Sequence, residues 1–140
     1  MSSHSDNPVP DDIPDDLQYT RTHEWVRELP GGELELGITD HAQRALGDLV
    51  FVEAPQPGRR VRAGDSCGVV ESVKAASDVS SPIEGEITAA NAALASAPER
   101  INQDPYHGGW IARIRPAPEA DRSVLLSAAQ YRKTLAAEGG

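Results

Sequence analysis

The chain has 140 residues, a formal net charge of −9, 4% aromatic residues and a single cysteine, Cys67. One domain with an aliphatic core fits that length. The lone cysteine excludes an intrachain disulfide and fits a reducing compartment. No basic stripe offsets the acids, which argues against nucleic acid and for partners with basic docking faces.

Residues 1–16 carry five acids (Asp6, Asp11, Asp12, Asp15, Asp16) and no Lys or Arg. Poor in large apolar groups, they are expected to form a disordered acidic tail ahead of a single domain over 17–140. The N-terminus has neither a basic n-region nor an apolar h-region, and it is too acidic for a transit peptide. No apolar run reaches the roughly 18 residues of a membrane span. A soluble, cytoplasmic, bacterial protein is the expectation.

In chain order, "HEWVREL" (23–29) and "GELELGI" (32–38) alternate with a two-residue period around "PGG", which predicts a β-hairpin. The D-x-x-Q spacing of Asp40 and Gln43 reads as a capping box opening a short helix over about 41–46, closed by Gly47. "DLVFVE" (48–53) is a strand, and 55–65 reads as turn, short strand and turn. "SCGVVES" (66–72) and "AASDVSS" (75–81) pair around Lys74, and "IEGEITAAN" (83–91) continues as a strand. Residues 92–109 are irregular with one or two helical turns, and "WIARIR" (110–115) is a further strand. Ser127 and Gln130 repeat the capping-box spacing and open a terminal helix over about 128–137. Trp25 and Trp110 are expected in the core, as is Cys67.

The chain lacks a glycine-rich phosphate loop, a C-x-x-C pair and a G-x-S-x-G elbow. His4, His23, His41 and His107 are scattered, so no metal-ligand set is read and no metal is expected. No nucleophile–base pair follows from spacing, so the chain is not expected to be an enzyme in its own right.

Lys74 is the sharp feature. At an ordinary pKa near 10.4, about one lysine in 2,500 is neutral at pH 7, and the neighbouring Glu71 and Asp78 favour the charged form. Self-activated amine chemistry is therefore disfavoured, whereas acylation by another enzyme needs no such shift. An ordinary solvated turn lysine is the alternative. Composition argues against it: the chain has eleven arginines and two lysines, so a position needing only charge would more readily hold Arg. Lys133, in the terminal helix, reads as that ordinary case.

"ESVKAASD" resembles the modification site of the glycine cleavage system H proteins, which are lipoyl carriers. "YTRTHEWV" (19–26), "GITDHAQRALGDLVFVE" (37–53), "SPIEGEI" (81–87) and "INQDPYHGGW" (101–110) resemble that family's blocks in the right order, covering about residues 18–137. Biotin carriers place methionines beside the modified lysine, and here Met1 is the only methionine.

The resemblance implies a mostly-β barrel-sandwich hybrid with short peripheral helices and a C-terminal helix. It implies lipoate in amide linkage to Lys74, with Glu71, Val73, Ala75 and Asp78 helping a lipoylating enzyme recognise the hairpin. It implies a carrier that takes an aminomethyl group from glycine decarboxylase (the P protein) to aminomethyltransferase (the T protein). Dihydrolipoamide dehydrogenase (the L protein) would then reoxidise the dithiol. Thr22, His23 and Glu24 are candidates for a cleft that shelters the loaded arm, with Glu24 set to pair with its amine. Two other roles need the same hairpin: a lipoyl relay in lipoate metabolism, and an H-like carrier outside glycine catabolism. His107 stands where the family often has a smaller residue, and Asn102, Asp104 and Pro105 read as turn formers.

Overall fold

The alternating apolar residues of the first hairpin feed two sheets that close on one aliphatic core. The structure, a computed structural model, describes residues 11–139. Its elements are β1 (Gln18–Tyr19), β2 (Glu24–Glu28), β3 (Leu34–Ile38), α1 (Asp40–Leu46), β4 (Leu49–Glu53) and β5 (Arg60–Val61). They continue with β6 (Ser66–Ser72), β7 (Ala76–Ser80), β8 (Gly85–Ala90), a 3-10 turn (Ala92–Ala95), α2 (Arg100–Gln103), β9 (Ala112–Pro116) and α3 (Ala128–Gly139). The fold is mostly β, with short helices at its margins and a C-terminal helix.

One sheet runs β1-β2-β3-β9-β8-β5 and the other β4-β6-β7, every pairing being antiparallel. Leu34 and Leu36 of β3, Ile87 of β8 and Ile114 of β9 meet Val52, Val70 and Val79 of the smaller sheet in the main core. Each fully buried aliphatic side chain of this kind contributes about 1.5–3 kcal/mol. The opposite face of β2 and β3 carries a second cluster. There Trp25 packs with Tyr19, Tyr106, Leu126 and Tyr131 of α3. Of the three residues expected inside, Trp25 and Cys67 are buried. Trp110 is only partly buried, and Arg113 stacks its guanidinium 4.2 Å from the Trp110 ring centroid.

Two further sequence expectations change. The N-cap of α1 is Thr39 rather than Asp40, because Thr39 Oγ1 accepts the Ala42 N–H at 3.2 Å. Asp40 instead accepts the Gln43 side-chain amide at 2.8 Å. Residues 11–16, expected as part of a disordered tail, are instead held to the body through their backbone carbonyls. Tyr19 Oη donates to Pro14 O at 2.6 Å, Tyr106 Oη donates to Asp12 O, and Arg132 donates to Ile13 O at 3.0 Å. The rest of the expected tail, residues 1–10, lies outside the described residues. Asn102 does more than form a turn: its amide donates to Gln43 Oε1 and Gly47 O, and its carbonyl accepts the Leu49 N–H. It thereby fixes the exit of α1 into β4.

Candidate functional site

Lys74 stands at the tip of the β6–β7 hairpin. Glu71 pairs with Ala76, and the Ser72 N–H donates to Ala75 O at 2.8 Å. The Ala75 N–H donates back to Ser72 Oγ at 3.2 Å. Val73 and Lys74 are left as the two central residues of a turn tied on both sides. His23 is the one non-glycine residue with positive φ among the described residues, so this turn avoids the primed types that favour Gly and Asn. No glycine marks it in the sequence for that reason.

The tip is exposed at Val73, Lys74, Ala75 and Asp78, whereas Glu71 is half-buried. Val73 is 90% exposed, and the neighbouring strand β4 adds exposed Val50 and Phe51. The lysine therefore rises from an apolar surround that water covers at a free-energy cost. Asp78 accepts the Ser66 hydroxyl at 2.9 Å across the hairpin.

At the base of the same hairpin lies a cleft of about 580 Å³, lined in part by Thr20, Thr22, Glu24, Ser80, Val124 and Leu126. Ser80 is six residues beyond Lys74, or about 20 Å at roughly 3.3 Å per residue along a strand. Glu24 is 2% exposed. Its carboxylate accepts the Thr20 and Thr22 hydroxyls at 2.5 Å each and the Ser80 N–H at 3.1 Å. Burial pushes the Glu24 carboxyl above its ordinary pKa, and these three hydrogen bonds oppose the shift. The cleft thus joins an apolar wall to one buried carboxylate, a pairing suited to an apolar chain ending in a cation.

His23 does not join Thr22 and Glu24 in the cleft. Its φ of 73° turns the side chain elsewhere, with Nδ1 2.8 Å from Tyr131 Oη and Nε2 3.1 Å from Glu138 Oε1. The His41 ring centroid is 4.7 Å away. Two of the histidines that looked scattered in sequence are therefore neighbours, joined by β3 and the start of α1. Cys67 lies under the hairpin, where burial pushes its thiol up to about 12, so the thiolate is scarce near neutral pH.

An exposed lysine on a hairpin tip tied by hydrogen bonds, with an amphipathic cleft at that hairpin's base, is an arrangement suited to a carrier-type protein. Residues 17–138 match the family model described as Glycine cleavage H-protein. The glycine cleavage system H protein of Halorhodospira halophila is 57% identical over 127 residues, covering 91% of this chain and 98% of that one. That of Nitrosospira multiformis is 58% identical over 126 residues, covering 90% and 97%. A crystal structure of a glycine cleavage system H protein from Mycobacterium marinum superposes with a TM-score of 0.78 at 41% identity, covering 91% of this chain and all of that one. The chain belongs to the glycine cleavage H-protein family.

Proposed function

We propose that the chain is the lipoyl-bearing carrier of glycine cleavage, with lipoate in amide linkage to Lys74. The observation that carries this reading is the exposed lysine on a doubly tied hairpin tip in a member of this family. Lipoate would supply a disulfide able to accept and release a one-carbon aminomethyl unit. The protein's own contribution is presentation and shelter. The tied turn gives the arm a fixed origin, so its reach is set by the arm itself. Exposed Val73, Ala75 and Asp78, with Glu71, offer a lipoylating enzyme a shaped surface around the amine.

Glu24, held by Thr20, Thr22 and Ser80, offers a carboxylate to the protonated amine of a loaded arm, and Val124 and Leu126 offer its chain an apolar wall. The lysine is carried between glycine decarboxylase, aminomethyltransferase and dihydrolipoamide dehydrogenase. This chain makes and breaks no substrate bond of its own. The relatives named above are bacterial, and among the described residues no helix is long and apolar enough to cross a membrane. We place the carrier in the cytoplasm.

The test is an intact mass of protein co-expressed with lipoylating enzymes, followed by peptide mapping and reconstitution with the three partner enzymes. A lipoyl or octanoyl increment on Lys74 and none on Lys133 is expected, and Lys74→Arg should abolish glycine decarboxylation by the assembled system. Turnover by Lys74→Arg, or an unmodified Lys74, refutes the assignment.

A further inference from the structure

His23, His41 and Glu138 come from three distant parts of the chain: the turn before β2, the first turn of α1 and the end of α3. One ligand atom from each lies within 4.8 Å of the other two. We propose that these three side chains form a binding site for a single divalent cation of the zinc class, independent of any role of Lys74.

The donor chemistry fits. Two imidazole nitrogens and one carboxylate oxygen are a three-ligand zinc set that leaves a fourth position for water. At metal–ligand distances of about 2.0–2.2 Å, tetrahedral ligands stand roughly 3.4 Å apart. The side chains must therefore close by no more than about 1.4 Å, and Glu138 sits on the last turn of α3, where its exposed side chain is free to rotate. Both histidines are already oriented by outer partners.

His41 Nδ1 is 3.0 Å from Asp11 Oδ2, which leaves the Nε2 lone pair available, as in carboxylate–histidine–metal arrangements. His23 Nδ1 is 2.8 Å from Tyr131 Oη, and Tyr131 Oη is 2.8 Å from Thr39 Oγ1. Without an ion, His23 Nε2–H donates to Glu138. With an ion on Nε2, the ring proton moves to Nδ1 and is donated to Tyr131 Oη, whose own hydroxyl proton turns to Thr39. The ring stays neutral in both states, so the ion replaces one hydrogen bond without expelling a proton from the imidazole.

The local charge also suits a dication. Glu138 and Asp11 bring two carboxylates, and Arg44, which lies 4.0 Å from Asp11, is engaged by Asp40 at 3.0 Å. The left-handed backbone at His23 completes the case. A non-glycine residue held at φ 73° is costly, and here it turns an imidazole out of the cleft and towards Glu138. An ion at this site would tie the end of α3 to the segment that carries Thr22 and Glu24.

The experiment uses the full-length chain, stripped with a chelator and titrated with zinc chloride by calorimetry, with cobalt(II) visible absorption as a geometric readout. The expected result is one saturable site and d–d bands of a tetrahedral nitrogen–oxygen set. His41→Gln and Glu138→Gln should each weaken zinc binding by about tenfold or more. His107→Gln and His4→Gln should leave it unchanged, and thermal midpoints verify that every variant is folded. Absence of saturable zinc binding overturns the proposal. So does binding that survives both His41→Gln and Glu138→Gln, or that is lost on replacing His4 or His107.

Discussion

Gly37→Ala tests how tightly the second cluster is built. Gly37 faces Trp25 across the β2–β3 pair, and a Cβ placed there would lie 2.6 Å from the indole Cε2 and Nε1. Ordinary contact begins near 3.4 Å, so the ring must retreat by about 1 Å. It has nowhere to go cheaply. Trp25 is fully buried, and its Nε1–H donates to Pro105 O at 2.8 Å.

Overpacking alone costs about 1–3 kcal/mol. Pulling the indole from Pro105 strands a buried donor at about 1–3 kcal/mol more. The total is about 2–6 kcal/mol, and at about 4 °C per kcal/mol for a unit of this size the midpoint should fall by about 8–24 °C. Thermal denaturation followed by near-UV circular dichroism measures this. Gly108→Ala, whose Cβ would meet nothing nearer than 3.4 Å, is the control and should shift stability by under about 0.5 kcal/mol. Trp25→Phe in the Gly37→Ala background should recover part of the loss, because the smaller ring leaves room. A Gly37→Ala midpoint within about 2 °C of the unchanged protein refutes the packing account.

The raised carboxyl of Glu24 gives a pH prediction. An acid whose folded pKa lies above its unfolded value contributes full stability below the unfolded pKa and loses it as pH rises through the folded one. Glu24→Gln should therefore gain on the unchanged protein as pH rises from about 4.5 and then level off; a difference in thermal midpoint that stays constant with pH would sink the idea. Deleting residues 1–16 should lower the midpoint, since it removes the carbonyls of Asp12, Ile13 and Pro14 from Tyr106, Arg132 and Tyr19. An unchanged midpoint after that deletion would show that these contacts contribute nothing to stability.

Local pattern was legible wherever a segment is satisfied by its own neighbours. The capping box at 127–130 closes as its spacing predicts, with Gln130 N–H on Ser127 Oγ at 3.1 Å and Ser127 N–H on Gln130 Oε1 at 2.8 Å. The same spacing at Asp40 misled because Thr39, one residue earlier, had the better-placed hydroxyl. Thr22 and Glu24 were named through the family resemblance, and both line the cleft at the hairpin base. His23 was grouped with them for the same reason, but a single positive φ sends it elsewhere. The order of residues 11–16 rests largely on distant partners, Tyr106 lying 94 positions from Asp12 and Arg132 119 from Ile13, and the approach of His41 to His23 rests on the path of β3 between them. Composition and spacing carry no trace of such partners. The two-residue β1 was missed because it is too short to show a period: it pairs with β2 through Gln18 and Tyr19 alone.

The stacking of Tyr131 on Tyr19, at 4.7 Å between ring centroids, also sets a schedule for biosynthesis. These residues are 112 positions apart in the chain. At a translation rate of about 5–20 residues per second, Tyr19 is made roughly 6 to 22 s before the ring that stacks on it. The main aliphatic core can close once β9 has emerged, but the aromatic cluster must wait for the final helix. A ribosome stalled short of that helix holds a nascent chain whose Tyr19 and Trp25 still await cover, the surface on which a chaperone would act.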